Sequence, residues 1–153
     1  NEGLSSGGGT STESNVSLCI YKDDIDLQAL TALIGCEPTS ARRKGEKFGG
    51  RPKIPPARIG QWFLEAPKEL EFAEKIEYLL ESTESNADVW RKIVSSHTIR
   101  LHCYIFLHSW TEGFVLSPET LAGMADRNWE FSLSVYSAEG DEILDSFLKD
   151  KPA

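Results

Sequence analysis

Hydrophobic and polar residues alternate in two stretches of the chain, 16–21 and 129–137, and these together with two further apolar stretches predict four β-strands. The stretches are 16–21 (VSLCIY), 61–66 (QWFLEA), 98–108 (TIRLHCYIFLH) and 129–137 (WEFSLSVYS). Successive side chains of a strand point to opposite faces, so alternation is typical of a sheet with one buried face. The stretch 98–108 is apolar on both faces, which predicts a central strand.

Apolar residues spaced three and four apart predict four helices between these strands. The helices lie within 23–35 (DDIDLQALTALIG), 67–85 (PKELEFAEKIEYLLESTES), 86–96 (NADVWRKIVSS) and 117–128 (SPETLAGMADRN). Candidate N-caps are Asp24 or Asp26, Asn86 and Ser117. Pro67 and Pro118 suit a first helical position, and Gly35 suits a helix end.

The order of these elements is β-α-β, two helices, then β-α-β, which predicts a ferredoxin-like α+β sandwich. Its helices would cover one face of a four-stranded, largely antiparallel sheet. We also expect the two helices between the first and the second β-α-β unit to cover part of the second face of the sheet. The reason is that Cys19 and Phe106 would be poor residues to expose to solvent there.

The chain of 153 residues is long enough for one domain, which we place at 16–140. Residues 1–15 have neither the basic start nor the apolar core of a secretory signal, and we predict a disordered leader or a cloning remnant. The tail 141–153 is expected to add at most a loose amphipathic turn. No apolar run approaches the roughly 18 residues of a membrane helix, so no membrane partner is expected.

Positive charge is concentrated in the segment 39–60. The chain has 16 Lys and Arg against 24 Asp and Glu, a net charge of -8. Seven of the cations fall in this segment beside one acid, Glu46, which leaves 9 basic and 23 acidic residues elsewhere. Glycines and prolines predict that the segment lacks regular structure. It either cradles an anion with Arg side chains and backbone N–H groups, or it is a solvated loop that pairs with the acidic remainder.

Period two sends a second set of strand residues to the face opposite the predicted helices. The set is Cys19, Tyr21, Arg100, His102, Tyr104, Phe106, Ser132, Ser134 and Tyr136. A surface that is both aromatic and polar is typical of a ligand or partner site.

Cysteines and histidines indicate neither a metal site nor a catalytic pair. Cys19, Cys36 and Cys103 are odd in number and lack C-x-x-C spacing, which favours a reduced, cytoplasmic location. His102 and Cys103 are neighbours on a strand and would point to opposite faces. No cofactor fingerprint and no catalytic motif is present, so we expect no cofactor, no metal and no assigned catalytic residue.

Three segments together resemble a family of small, mainly bacterial proteins, domain of unknown function 4279. They are LTALIGCEPTSARRKG, the strand tryptophan Trp62, and GFVLSPETLAGMADRNWEFSLSVY. The most specific part is Glu37-Pro38-Thr39 followed by Lys44-Gly45, and the likeness spans 17–136. The resemblance implies a compact bacterial cytoplasmic protein and implies no catalytic residues.

Our first hypothesis is a non-enzymatic binding domain that holds an anionic ligand or a protein partner, with an immunity-type toxin neutraliser as a subcase. Residues predicted to contact the ligand or partner are Thr39, Arg42, Arg43, Lys44, Gly45, Lys47, Arg51, Arg58, Trp62, Tyr21, His102, Tyr104 and Tyr136. The alternative is an enzyme in which Arg42, Arg43 and Lys44 orient an anionic substrate and His102 or Glu37 is the acid or base. Single-stranded nucleic acid is a third candidate, against which the 23 acids outside the loop weigh.

Either 61–66 or 129–137 is expected to form an exposed sheet edge. A homodimer would then pair this edge with its copy.

Overall fold

The computed structural model describes residues 12–51, 53–108 and 111–137. Its strands are β1 (Thr12–Lys22), β2 (Ser40–Arg42), β3 (Gly60–Glu65), β4 (Thr98–Leu107) and β5 (Glu130–Tyr136). Its helices are α1 (Leu27–Ile34), α2 (Phe72–Ser82), α3 (Ala87–Val94) and α4 (Pro118–Asp126). None of these helices is long and apolar enough to span a membrane.

The strands form one mixed sheet in the order β2-β3-β1-β4-β5. β1 pairs antiparallel with both β3 and β4, and β4 pairs parallel with β5. The α+β class is confirmed, but the ferredoxin-like topology is not found among the described residues. The connection through α1 returns the chain to β2 in the same direction as β1, and the loop between β2 and β3 then reverses it, so that β3 lies antiparallel between β1 and β2. The connection through α4 returns the chain in the same direction and makes β4 and β5 parallel neighbours.

The basic segment contains a short strand, so the prediction that it lacks regular structure is wrong at its start. Thr39 N–H donates to the carbonyl of Phe63 at 2.7 Å, and the register then pairs Ser40 with Phe63 and Arg42 with Gln61. β2 therefore covers the outer side of β3. The predicted edge at 61–66 is an interior strand for this reason, whereas β5 is an edge of the sheet.

The first strand begins earlier than its alternating pattern indicated. β1 starts at Thr12, so the predicted leader of 1–15 is wrong over 12–15. The polar residues of this part pair with β4, in which Asn15 faces Tyr104 and Glu13 faces Phe106. Residues 1–11 and the predicted C-terminal turn lie outside the described residues.

All four helices pack on the same face of the sheet. The strands contribute Val16, Leu18, Ile20, Trp62, Leu64, Ile99, Leu101, Cys103 and Ile105 to one buried cluster. The helices contribute Leu30, Ile34, Phe72, Ile76, Leu79, Trp90, Ile93 and Met124 to the same cluster. The expectation that α2 and α3 cover part of the second face is therefore wrong, because their apolar sides are used on the first.

Capping residues locate three helices as the sequence predicts. Asp26 accepts from Ala29 N–H at 3.1 Å at the start of α1, and Gly35 ends that helix with a φ of 88°. The side chains of Asn86 and Ser117 cap α3 and α4. The start of α2 was predicted wrongly at Pro67. A capping box between Glu71 and Glu74 satisfies the free N–H groups further along the chain, so the helix begins at Phe72.

A buried lysine joins α2 to the central strand. Lys75 is 2 % exposed, and its Nζ donates to the carbonyl oxygen of Ser14 at 2.5 Å and to its Oγ at 2.9 Å. Burial lowers the pKa of the Lys75 ammonium, while nearby Glu71 opposes that shift. These hydrogen bonds satisfy a polar group that would otherwise be costly to bury.

At Gly60 the start of β3 packs closely against the end of β1 and the residues that follow it. A Cβ at Gly60 would lie 2.3 Å from the carbonyl oxygen of Lys22 and 2.4 Å from Cγ2 of Ile25. We therefore expect Gly60→Ala to lower the free energy of unfolding by about 1–3 kcal/mol, measured by urea denaturation. Gly49→Ala is the matched control, since no atom lies within 4 Å of its Cβ position. Equal stability of the two variants would contradict the close packing at Gly60.

Candidate functional site

The sheet face opposite the helices has no helical cover among the described residues, and we call it the open face. Strand register places these alternate residues on it: Ser40, Arg42, Gln61, Phe63, Glu65, Ser17, Cys19, Tyr21, Arg100, His102, Tyr104, Phe106, Ser132, Ser134 and Tyr136. All nine residues predicted for the second face are present, and only Cys19 of the whole set is buried.

Six rings form a continuous row across the open face, and we call it the aromatic row. It runs through Phe63, Tyr21, His102, Tyr104, Tyr136 and Phe106. Their successive ring centroids lie 5.7, 6.4, 6.3, 6.4 and 5.1 Å apart. The row crosses from β3 to β5, because neighbouring strands present residues on the same face at each register position.

A groove with a volume of about 350 Å³ lies along one part of this row. Its lining comes from β1, β3, β4 and the start of β2: Ser17, Cys19, Tyr21, Thr39, Ser40, Phe63, Glu65, His102 and Tyr104. Thr39 is fixed at its edge, because its Oγ1 accepts from Glu65 N–H at 2.9 Å. The groove combines ring faces with hydroxyl groups and one carboxylate.

His102 stands in the middle of the row. Its Nε2 lies 3.3 Å from the hydroxyl oxygen of Tyr21, and its ring stacks beside Tyr104. Burial lowers the pKa of His102, and the like charge of Arg100 lowers it further, while Glu130 acts in the opposite direction. The neutral imidazole is therefore favoured, and it can donate or accept a hydrogen bond in the groove.

Burial also favours the uncharged forms of Cys19 and Tyr21 on the groove floor. Burial raises the pKa of the Cys19 thiol to about 11, although a hydrogen bond with Tyr21 and the charge of Arg100 partly oppose the shift. Burial also raises the pKa of Tyr21, and Cys19 adds to that shift. A protonated thiol is a weak nucleophile. The floor of the groove is thus uncharged.

Charged groups lie around this neutral floor. Arg100 donates to Glu130 Oε1 at 2.8 Å, which joins β4 to β5 by an ion pair. Arg100 Nε is buried and has no hydrogen-bond partner among the described residues. Glu65 is exposed at the β3 end of the groove. The open face therefore has an aromatic centre and a charged rim.

The part of the segment 39–60 that runs from Arg42 to the start of β3 is called the basic loop. Hydrogen bonds within its own backbone close it. Gly45 N–H donates to the carbonyl of Ala57 at 2.8 Å, and Ala57 N–H donates to the carbonyl of Glu46 at 2.9 Å. Gly45 has a φ of 89°, a left-handed conformation that favours glycine. The guanidinium of Arg42 lies 4.5 Å from the ring centroid of Phe48.

Two of the loop cations lie near acidic groups, and two others, Lys47 and Arg51, line one pocket of about 310 Å³ together with Gly49 and Gly50. Arg43 lies 3.7 Å from Glu46, and Lys44 lies 3.5 Å from Asp23. Lys47, Arg51 and Arg58 are exposed and form no ion pair within the part of the chain that the structure describes. They present positive charge on the connection between β2 and β3.

The predicted site residues other than Trp62 fall into three places. Thr39, Tyr21, His102 and Tyr104 meet in the groove, and Tyr136 lies further along the row. Arg42 begins the loop, which also contains Arg43, Lys44, Gly45, Lys47, Arg51 and Arg58.

Trp62 was assigned wrongly to the site. It is fully buried on the helix side, and its Nε1 donates to Thr31 Oγ1 at 3.0 Å. Its neighbour Phe63 carries the ring that reaches the groove.

Phe63, Ser40 and Glu65 line the groove but were not predicted as site residues. Alternation along GQWFLE was a usable signal, since a buried Trp62 requires Phe63 and Glu65 to face the other way. Nothing in the sequence indicated that Ser40 belongs to a strand beside them.

The described residues hold no group of three His, Cys, Asp or Glu side chains with metal-binding geometry. Cys103 is buried among the helices, and burial raises the pKa of its thiol to about 12. It lies on the opposite face from His102, as predicted. Cys19 shares the open face with His102, but its raised pKa keeps it protonated.

A family model described as Domain of unknown function (DUF4279) matches residues 12–138. Its start coincides with the first residue of β1. No curated protein and no solved structure matches the chain.

The charges around His102 make its titration predictable. We expect a pKa below 6.5 by NMR, a rise in Arg100→Gln and a further fall in Glu130→Gln. Because the folded state disfavours the imidazolium, the stability from neutral His102 is complete above pH 6.5 and is lost as the pH falls through the lowered pKa. Shifts of the same sign in both variants would contradict this electrostatic arrangement.

Proposed function

The chain belongs to the DUF4279 family, and from its own surface we propose that it is a non-enzymatic binding domain. Its partner lies on the open face, and the aromatic row is the main contact. The partner is a protein, and it contributes an acidic segment that reaches the basic loop.

The aromatic row, without helical cover among the described residues, is the observation that carries this proposal. Tyrosine and other aromatic side chains supply large contact areas and dominate the binding energy of protein interfaces. Four of the six rings belong to Tyr21, Tyr104, Tyr136 and His102, which can also form hydrogen bonds. An uncharged centre with a charged rim agrees with the usual anatomy of such interfaces.

The distribution of charge supports a protein partner rather than a free small anion. A phosphate or small carboxylate is best held by several cations or N–H groups that converge on it. Arg43 and Lys44 are each within reach of an acid, and Lys47 and Arg51 are the only cations among the described residues that line the loop pocket. An extended acidic segment can pair with these two groups of cations in turn.

Nucleic acid is disfavoured by carboxylates on the open face itself. Glu65 lines the groove, and Glu130 of β5 forms an ion pair with Arg100 of β4. Each would repel a phosphate backbone that followed the aromatic row. The immunity-type role remains a prediction, and a basic toxin would have to contact the acidic surface outside the loop.

The enzyme alternative depends on His102, whose lowered pKa and position in a groove are typical of an acid or base. However, no hydrogen bond or ion pair within the described residues joins His102 to Glu37, Arg42, Arg43 or Lys44. The residues assigned to orient the substrate therefore do not converge on the proposed acid or base.

Binding through the aromatic row is testable with a matched pair of tyrosines. We expect Tyr104→Ala to weaken binding of short acidic peptides that contain an aromatic residue by roughly tenfold, because it removes the ring between His102 and Tyr136. Tyr78→Ala is the control, since Tyr78 is exposed on α2, on the helix side of the sheet. NMR shifts of the backbone amides are measured while each peptide is added to the isotope-labelled protein. They give both the affinity of the peptide and the place where it binds.

Two further titrations separate the alternatives. The double substitution Lys47→Glu with Arg51→Glu should weaken binding of the same peptides. It should leave the other contacts of the open face unchanged. Inorganic phosphate and single-stranded oligonucleotides are added in parallel. Peptide shifts confined to the helix side, or oligonucleotide shifts along the aromatic row with no peptide shifts there, would contradict the proposal.

A further inference from the structure

The groove beside the aromatic row carries an unbalanced charge. Its described lining contains one carboxylate, that of Glu65, and contains no lysine or arginine. Glu65 is exposed, and no cation of the described residues lies within ion-pair distance of it. Its charge acts on Lys75 from a distance, but the Nζ of Lys75 is bonded to Ser14 instead. The groove therefore presents a negative charge without an ion-pair partner in this part of the chain.

Aromatic rings form much of the wall next to this carboxylate. They belong to Phe63, Tyr21, His102 and Tyr104. The ring planes of Tyr21 and Phe63 meet at 76°, and those of Tyr21 and His102 meet at 88°. In such a perpendicular pair, the ring that contributes its edge keeps both of its faces free of its partner. Ring faces carry partial negative charge and attract cations.

Hydroxyl groups supply further acceptors inside the groove. Ser17 and Ser40 belong to its lining, and Thr39 stands at its edge. A hydroxyl oxygen has two acceptor lone pairs, so Thr39 Oγ1 can accept a second bond besides the one from Glu65 N–H. The groove thus combines one carboxylate, several ring faces and neutral acceptors, which is the chemistry that a planar cation with many N–H donors requires.

We propose that the groove binds a guanidinium group, supplied by an arginine side chain of the protein partner. The guanidinium stacks on the ring faces and pairs with Glu65. This inference rests on the proposed function, because it names the group that the partner inserts beside its aromatic contacts. The partner then carries opposite charges at two places, an arginine at the groove and an acidic segment at the basic loop.

Other occupants fit the groove less well. An anion would be repelled by Glu65, and an apolar group would remove water from that carboxylate without replacing its hydrogen bonds. A lysine ammonium is a compact, strongly hydrated charge, whereas a guanidinium stacks on aromatic faces and bonds a carboxylate with two N–H groups. Arg100 of the same face does not fill this role, since it does not line the groove and donates to Glu130 at 2.8 Å.

A matched pair of small probes tests the groove directly. N-acetylarginine amide and N-acetylcitrulline amide have nearly the same shape, but only the first is charged. Each is titrated into the isotope-labelled full chain, and the shifts of the backbone amides are followed by NMR. We expect the arginine probe to shift Tyr21, Phe63 and His102 and to bind about fivefold more tightly than the citrulline probe. Equal binding of the two probes, or no shifts in the groove with the arginine probe, would overturn the inference.

Glu65→Gln tests the role of the carboxylate. This variant should lower the affinity for the arginine probe to that for the citrulline probe and leave the latter unaltered. Glu77→Gln is the matched control, since Glu77 is exposed on α2, on the helix side of the sheet. A preference for arginine that persists in Glu65→Gln would contradict the pairing.

Acidic, aromatic peptides that contain either arginine or citrulline separate this inference from the proposed function. Peptides that bind along the aromatic row with equal affinity would overturn the inference and leave the proposed function standing. If the arginine probe binds in the groove but no peptide contacts the row, the proposed function fails, while the preference of the groove for a guanidinium is confirmed.

Discussion

One-sided burial of the sheet is the constraint on which the other features depend. β1 lies at the centre and pairs antiparallel on both sides, so its alternating pattern is imposed on β3 and β4 through the register. Val16, Leu18 and Ile20 bring all four helices to one face. A one-residue slip would exchange the two faces, so the same pairing that forms the core also creates the open face.

The open face combines groups that are usually kept apart. Its centre is a row of rings with neutral polar atoms, since burial favours the uncharged forms of His102, Cys19 and Tyr21. Charge is confined to the rim and to the loop beyond β2. This loop is linked to the sheet through Thr39, whose backbone and side chain both bond to β3. The short strand β2 thus connects the groove, which Thr39 and Ser40 line, to the basic loop that follows Arg42.

β5 has different surroundings on its two sides. One side contributes Tyr136 to the aromatic row, and the other presents Phe131, Leu133 and Val135 beyond the edge of the helical layer. Because β5 is an edge strand, the helices cover the apolar side chains of its inner partner β4 but leave those of β5 exposed. The parallel crossover through α4 leads to this position, since it adds β5 outside β4 instead of inserting it into the sheet.

Local sequence determined the helices, four of the five strands, and which strand residues share a face. These follow from period and capping chemistry, which act between neighbours in the chain, as Asp26, Gly35 and Ser117 illustrate. Only the tertiary structure decided the strand order, the pairing of Ser40 with Phe63, the burial of Trp62 and the absence of helices over His102 in the described residues. The physical reason is that strand pairing and helix placement depend on contacts between distant segments, and alternation defines two faces without stating which one is covered.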